Sequence, residues 1–226
     1  MILVRLAVLA AKTLWRHPLR SGLTVLGVAM GMFLFAAIET MHGAMTAATT
    51  READDRELVV YRENRFCPFT SRLPEHYLGR IAAIPDVAAV VPMQVVVNNC
   101  GTSLDVVTFR GIPEAGLSDL AERRLRIIDG NLGEWQRRSD AALLGETLAR
   151  RRGLTPGMSF DAAGVTVTVA GIVASDEPQD RNVAYVHLDF LQRSSRSGLG
   201  VVTQFNVRVS DPTRMEAVAD AIDAEF

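Results

Sequence analysis

The uncharged run from Ser21 to Ile38, SGLTVLGVAMGMFLFAAI, constrains this chain more than any other segment, because with Thr40 and Met41 behind it the stretch can cross a bilayer as one helix. At about 1.5 Å per residue, roughly twenty helical residues match a hydrocarbon core of about 30 Å. Arg5, Lys12, Arg16 and Arg20 precede it with no acidic residue among them. The excess of positive charge predicts a cytoplasmic N-terminus and places the bulk of the chain beyond the membrane.

Two other readings of the run are weaker. A buried core helix would not usually follow a basic amphipathic leader or stay uncharged for so long. A cleaved signal peptide has an apolar region of about 7 to 15 residues ending in a small-x-small site. Here the run is longer, Ile38, Glu39, Thr40, Met41 and His42 follow it, and no clean Ala-x-Ala motif lies between Gly43 and Thr50. The segment therefore reads as a retained anchor.

The chain has 226 residues, of which 48% are hydrophobic and 22% charged, enough for one sizeable core outside the membrane segment. Removing the four leader cations from the net charge of -2 leaves -6 on the remainder. A mildly acidic exterior without a basic stripe argues against nucleic-acid binding, since nothing is placed to displace phosphate counterions. The two cysteines, Cys67 and Cys100, both fall on the side predicted to be oxidising. A disulfide is one reading and two separate thiols the other, and no His or Cys stands at zinc-ligand spacing from either.

Ile2 to Trp15 places Leu3, Leu6, Leu9 and Ala10 on one helical face, the pattern of a helix in the membrane interface, and Pro18 breaks it. Residues 1–20 thus form a leader, 21–42 the transmembrane helix, 43–56 a helical stalk and 57–226 a folded domain. Gly27 and Gly31 make a G-x-x-x-G pair that would let another helix approach, although glycine is common in such helices anyway.

Within the domain, strands are expected at Glu57–Tyr61, Val87–Val97, Ser103–Arg110, Leu125–Ile128, Ala141–Leu144, Met158–Phe160, Val165–Ala174, Val183–Val186 and Thr203–Val209. Helices are expected at Pro74–Ile84, at Glu146–Arg152 stopped by Gly153, from Asp189, and from Asp211 and Pro212 to the last residue. Asn98 to Gly101 would turn a hairpin, Asp129 to Gly133 a glycine-punctuated turn, and Ser175 to Asn182 a turn as well.

No catalytic constellation stands out. The four histidines, His17, His42, His76 and His187, are scattered. Ser159 in GMSFD lacks the second glycine of a nucleophile elbow and precedes a strand. Asp176, Glu177 and Asp180 lack calcium-loop spacing and read as a solvated hairpin tip. No G-x-x-x-x-G-K-[ST] loop occurs, so any ATP-driven work would need another polypeptide to bind the nucleotide.

In order and spacing, several segments resemble the MacB/FtsX/LolC-type ABC transporter permeases over essentially the whole chain. WRHPLRSGLTVLGV (Trp15–Val28) is similar to the family's entry into its first membrane helix, and RIAAIPDVAAVVP (Arg80–Pro92) to its helix-then-strand core opening. ALLGETL (Ala142–Leu148), GLTPGMSF and VTVTVAGIV within Gly153–Val173, and VAYVHLDFL (Val183–Leu191) are similar to later core segments. The resemblance implies an α+β fold, with one transmembrane helix and stalk followed by a two-lobed mixed α/β extracytoplasmic domain. It also implies a non-catalytic transport component in the cell inner membrane, with no cofactor of its own. The implied partners are membrane lipid, a second permease subunit, a separate cytoplasmic ATPase and a periplasmic partner. Such systems export or extract lipoproteins, peptides or drugs, or transmit ATP-driven motion. Family members continue into three further membrane helices, so the chain is expected to be an N-terminal portion of such a permease. The alternative is a stand-alone membrane-anchored adaptor, and an anchored hydrolase has no residues to nominate.

Overall fold

The computed structural model describes residues 18–49, 56–63, 70–97, 106–195 and 198–226. The chain divides into two units, Met1–Asp55 and Arg56–Phe226. In the first, helix α1 runs from Pro18 to Thr49, with the proline in the first turn, where its missing N–H costs no hydrogen bond. Its 32 residues span about 48 Å. A hydrocarbon core of about 30 Å leaves roughly a dozen residues to continue past it. Residues Pro18–Thr46 are long and apolar enough to cross a membrane, and their side chains are unburied. Thr24, Thr40 and Thr46 donate their hydroxyls to the carbonyls of Arg20, Ala36 and His42 in the preceding turn, so these groups need no water.

The second unit begins with strand β1 (Glu57–Val60), a short strand β2 (Leu73–Pro74), helix α2 (Tyr77–Ala82) and strand β3 (Val87–Val97). Then follow β4 (Thr108–Ile112), α3 (Glu114–Arg123), β5 (Arg126–Gly130), α4 (Leu132–Arg137), β6 (Ala141–Gly145) and α5 (Glu146–Arg152). The last elements are β7 (Ser159–Ala162), β8 (Val165–Ala174), β9 (Val183–His187), α6 (Leu188–Ser194), β10 (Val201–Val202), β11 (Gln204–Val209) and α7 (Met215–Glu225). The large mixed sheet has the order β1-β11-β3-β4-β9-β6-β8-β5, with β7 folded back on β8, while β2 and β10 form a separate ribbon.

Strand β3 joins two lobes. Its first part, Val87 to Met93, pairs with β11, and its last part, Gln94 to Val97, pairs with β4. In the first lobe Phe205, Val207 and Val209 of β11 alternate onto one face, where Val218 and Ile222 of α7 and Ile81 of α2 close a core. In the second lobe the period of two splits each central strand between two cores. Ala142, Leu144, Ala184 and Val186 face Leu148 of α5 and Leu191 of α6. Ala141, Leu143, Val183 and Tyr185 face Leu117 of α3 and Trp135 of α4. A sheet covered on both faces explains why these strands read as continuous apolar runs.

Three local expectations are corrected. Pro74 does not open a helix: it pairs with Val201, and the Glu75 N–H donates to the Gly200 carbonyl, so α2 starts only at Tyr77. A proline lacks a donor and suits such a ribbon. The turn expected at Asp129 to Gly133 is instead the end of β5 followed by α4, because the Asn131 side chain accepts from the Glu134 N–H and starts a helix. Asp180 is buried rather than solvated. The leader 1–17 and the hairpin tip around Asn98 to Gly101 lie outside the described residues.

Candidate functional site

The segment Ser175–Asn182 is shaped by its own polar groups. The Ser175 hydroxyl accepts the Glu177 N–H, and Arg181 donates to the Ser175 and Asp176 carbonyls. The Arg181 carbonyl in turn accepts the N–H groups of Thr147 and Leu148, which open α5 without a side-chain cap. Gly145 is required there, since a Cβ at that position would stand 2.4 Å from the Arg181 oxygen.

This scaffold turns Asp180 inward from a 3-10 turn, Pro178–Asp180. Its Oδ1 accepts the Tyr185 hydroxyl at 2.7 Å and Arg110 Nη1 at 2.8 Å. Its Oδ2 accepts the Ser175 hydroxyl at 3.2 Å and Arg124 Nη2 at 3.4 Å. A carboxylate in a low-dielectric site needs such compensation, and two guanidiniums and two hydroxyls supply it. Burial pushes the Tyr185 hydroxyl well above its ordinary value, Arg110 opposes the shift and Asp180 adds to it, so the phenol stays a neutral donor.

From Asp180 the charges alternate outward. Arg124, just past the end of α3, reaches Glu57 Oε2 at 3.3 Å, and Arg123 reaches Glu57 Oε1 at 3.1 Å. Arg123 also holds Asp119 one turn back at 2.7 Å, and Arg208 of β11 holds the same carboxylate at 3.1 Å. Burial raises the Asp119 carboxyl, but Arg123 and Arg208 outweigh it, so the group lies below the usual carboxylate range. The chain of ions thus runs from β1 and β11 of the first lobe, through α3, to the core of the second.

A second polar feature surrounds His187 at the end of β9. Its ring stacks on Trp135 at a centroid distance of 3.6 Å, and its Nε2 lies 2.7 Å from the Trp135 carbonyl, which makes Nε2 the donor. Trp135 is fully buried and donates its Nε1–H to the Tyr185 carbonyl at 3.0 Å. The adjoining cleft, of about 490 Å³, mixes Glu75, Glu114, Arg137 and Arg193 with His187. Among the described residues no three His, Cys, Asp or Glu side chains converge as a metal site.

The residues singled out in the sequence do not gather in one place. Gly27 and Gly31 lie on α1, where a Cβ on either would meet nothing within 4 Å. Cys67 and Cys100 fall outside the described residues. Asp176 and Glu177 are exposed, whereas Asp180, three residues on, is the buried centre of the ion chain. The sequence nominates none of Glu57, Asp119, Arg123 and Arg208 as a site residue, and Glu57 figures there only as the start of the first strand. Only the Asp119 and Arg123 spacing of four on one helix face was a local signal.

The model for the MacB-like periplasmic core domain matches residues 21–225. Among solved structures, the periplasmic region of MacB from Actinobacillus actinomycetemcomitans superposes with a TM-score of 0.53 at 13% identity, covering 75% of this chain and 84% of that one. The extracellular domain of YknZ, a noncanonic ABC-type transporter from Gram-positive bacteria, superposes with a TM-score of 0.50 at 17% identity, covering 71% and 86%. No curated protein matches the sequence. At these identities the structural likeness speaks for the fold, and the match over nearly the whole length speaks for descent. The chain belongs to the family of MacB-like periplasmic core domains.

Proposed function

We propose that this chain serves in a permease subunit of an ABC-type export or mechanotransmission system, with its core domain beyond the inner membrane relaying motion to a substrate or periplasmic partner. One observation carries the reading. A membrane-length helix, Pro18–Thr46, stands in the same chain as a MacB-like core whose first strand begins at Glu57. Its basic leader favours a cytoplasmic N-terminus. In this reading the chain performs no chemistry, ATP is hydrolysed on a separate cytoplasmic subunit, and a second permease subunit completes the dimer.

Gly27 and Gly31 are open on the surface of α1, which fits them for close packing against a neighbouring membrane helix. Cys67 and Cys100 are proposed to bond to each other, in which case the intact protein is lighter by two hydrogens in a non-reducing mass measurement. The principal test is to express the full-length gene with its chromosomal neighbours and purify through a tag on this chain. A nucleotide-binding subunit retained through mild detergent supports the reading, and purification without any ATPase contradicts it.

A further inference from the structure

The two lobes meet where β3 changes partner, between Met93 and Gln94. Thr203 bridges that point, its N–H donating to the Met93 carbonyl and its hydroxyl accepting the Val95 N–H. A ladder that switches neighbours at one residue is a natural place for a sheet to flex. Helix α3 lies over the same strand. Gly116 presses on it so closely that a Cβ would stand 2.6 Å from Val91 Cγ1, and Leu117 is anchored in the second lobe's core.

Beside that contact the packing is incomplete. A cavity of about 40 Å³ lies under α3, lined by Gly116 and Val91 as well as by Glu57, Asp119, Asn206 and Arg208. The helix thus touches β3 closely at Gly116 but does not fill the space toward β1 and β11, where ion pairs make the connection. Each bridging carboxylate there divides its oxygens or its partners between two cations. Charge-assisted bonds of this kind are directional and resist stretching.

We infer that α3 is a rocker that couples β1 to the Ser175–Asn182 segment, with Arg124 as the shared link: displacement of Glu57 is felt at Asp180 although the two carboxylates do not touch. Arg124 holds Glu57 with one nitrogen and Asp180 with another. Asp180 is fastened to β4 through Arg110 and to β9 through Tyr185, and its neighbour Arg181 caps α5. A shift arriving on the first strand of the domain thereby reaches three elements of the second lobe. The purpose of the device rests on the permease reading, but its existence does not.

The test is hydrogen exchange across Ser175–Asn182 in the full chain held in detergent micelles. Glu57→Gln keeps the shape of the side chain and touches no atom of that segment; it is expected to speed exchange there about three- to tenfold. Arg124→Gln is expected to do at least as much. The double variant should exchange no faster than Arg124→Gln alone, because Glu57 acts through that guanidinium. Val59→Thr, on the same strand but exposed, should leave the segment unchanged. The inference is overturned if Glu57→Gln has no effect there, if the two effects multiply, or if Val59→Thr speeds exchange equally. Coupling found in a protein that retains no ATPase keeps the rocker and removes the permease reading, and an ATPase retained without coupling does the reverse.

Discussion

Tyr185 donates its hydroxyl to Asp180 at 2.7 Å, and both side chains are sealed from solvent in the middle of the second lobe. The bond places a neutral donor beside a buried charge. Because removing one partner of a buried ionic cluster strands the others, Asp180→Ala is expected to cost about 3–5 kcal/mol. Tyr185→Phe leaves Arg110, Arg124 and Ser175 in place and is expected to cost about 1–2 kcal/mol. Urea unfolding of the two variants beside the parent gives both numbers, and equal losses would contradict the central place assigned to the carboxylate.

Gly145 and Gly79 offer a contrast between backbone crowding and open space. A methyl group at Gly145 would collide with the Arg181 carbonyl, whereas one at Gly79, exposed within α2, meets nothing within 4 Å. Gly145→Ala is expected to destabilise by about 1–3 kcal/mol. Gly79→Ala is expected to be neutral or to stabilise by up to about 1 kcal/mol. Melting temperatures that move in the same direction for both would sink this account of the α5 entry.

Acid should weaken the ion chain at a defined carboxyl. Arg123 and Arg208 overcome the effect of burial and hold Asp119 below its ordinary value. A carboxyl depressed in the folded state stabilises above its unfolded value of about 3.9, and that contribution disappears as pH falls through the folded value. Asp119→Asn should therefore flatten the stability profile below about pH 4 and change its shape little near neutrality. Half-exposed partners make the difference smaller at high salt. An acid limb identical in the two proteins would show that Asp119 carries none of it.

The local parts of this fold were legible because their signals are local. Strand β3 and strand β8 follow segments rich in β-branched residues, and α5 ends where Gly153 adopts φ of 63° and stops it. Helix α4 was missed although its start was written in the sequence, as Asn131 followed three residues later by Glu134. Gly133 drew attention to a turn instead. Pro74 misled because its β partner, Val201, is remote in sequence. The ion chain was hidden for the same reason: Glu57, Asp119, Asp180 and Arg208 meet only after β1, α3 and β11 are assembled. Tightly spaced acidic residues looked like a hydrated tip, and nothing nearby marked Asp180 as the one whose cations arrive from other elements.

The account stands on the domain lying across the membrane from the leader. The most direct measurement is a pair of fusions after Phe226, one to alkaline phosphatase, which is active only once exported, and one to green fluorescent protein, which fluoresces only if it stays in the cytoplasm. An active phosphatase with a dark fluorescent protein is the expected result. A bright fluorescent protein with an inactive phosphatase would contradict it.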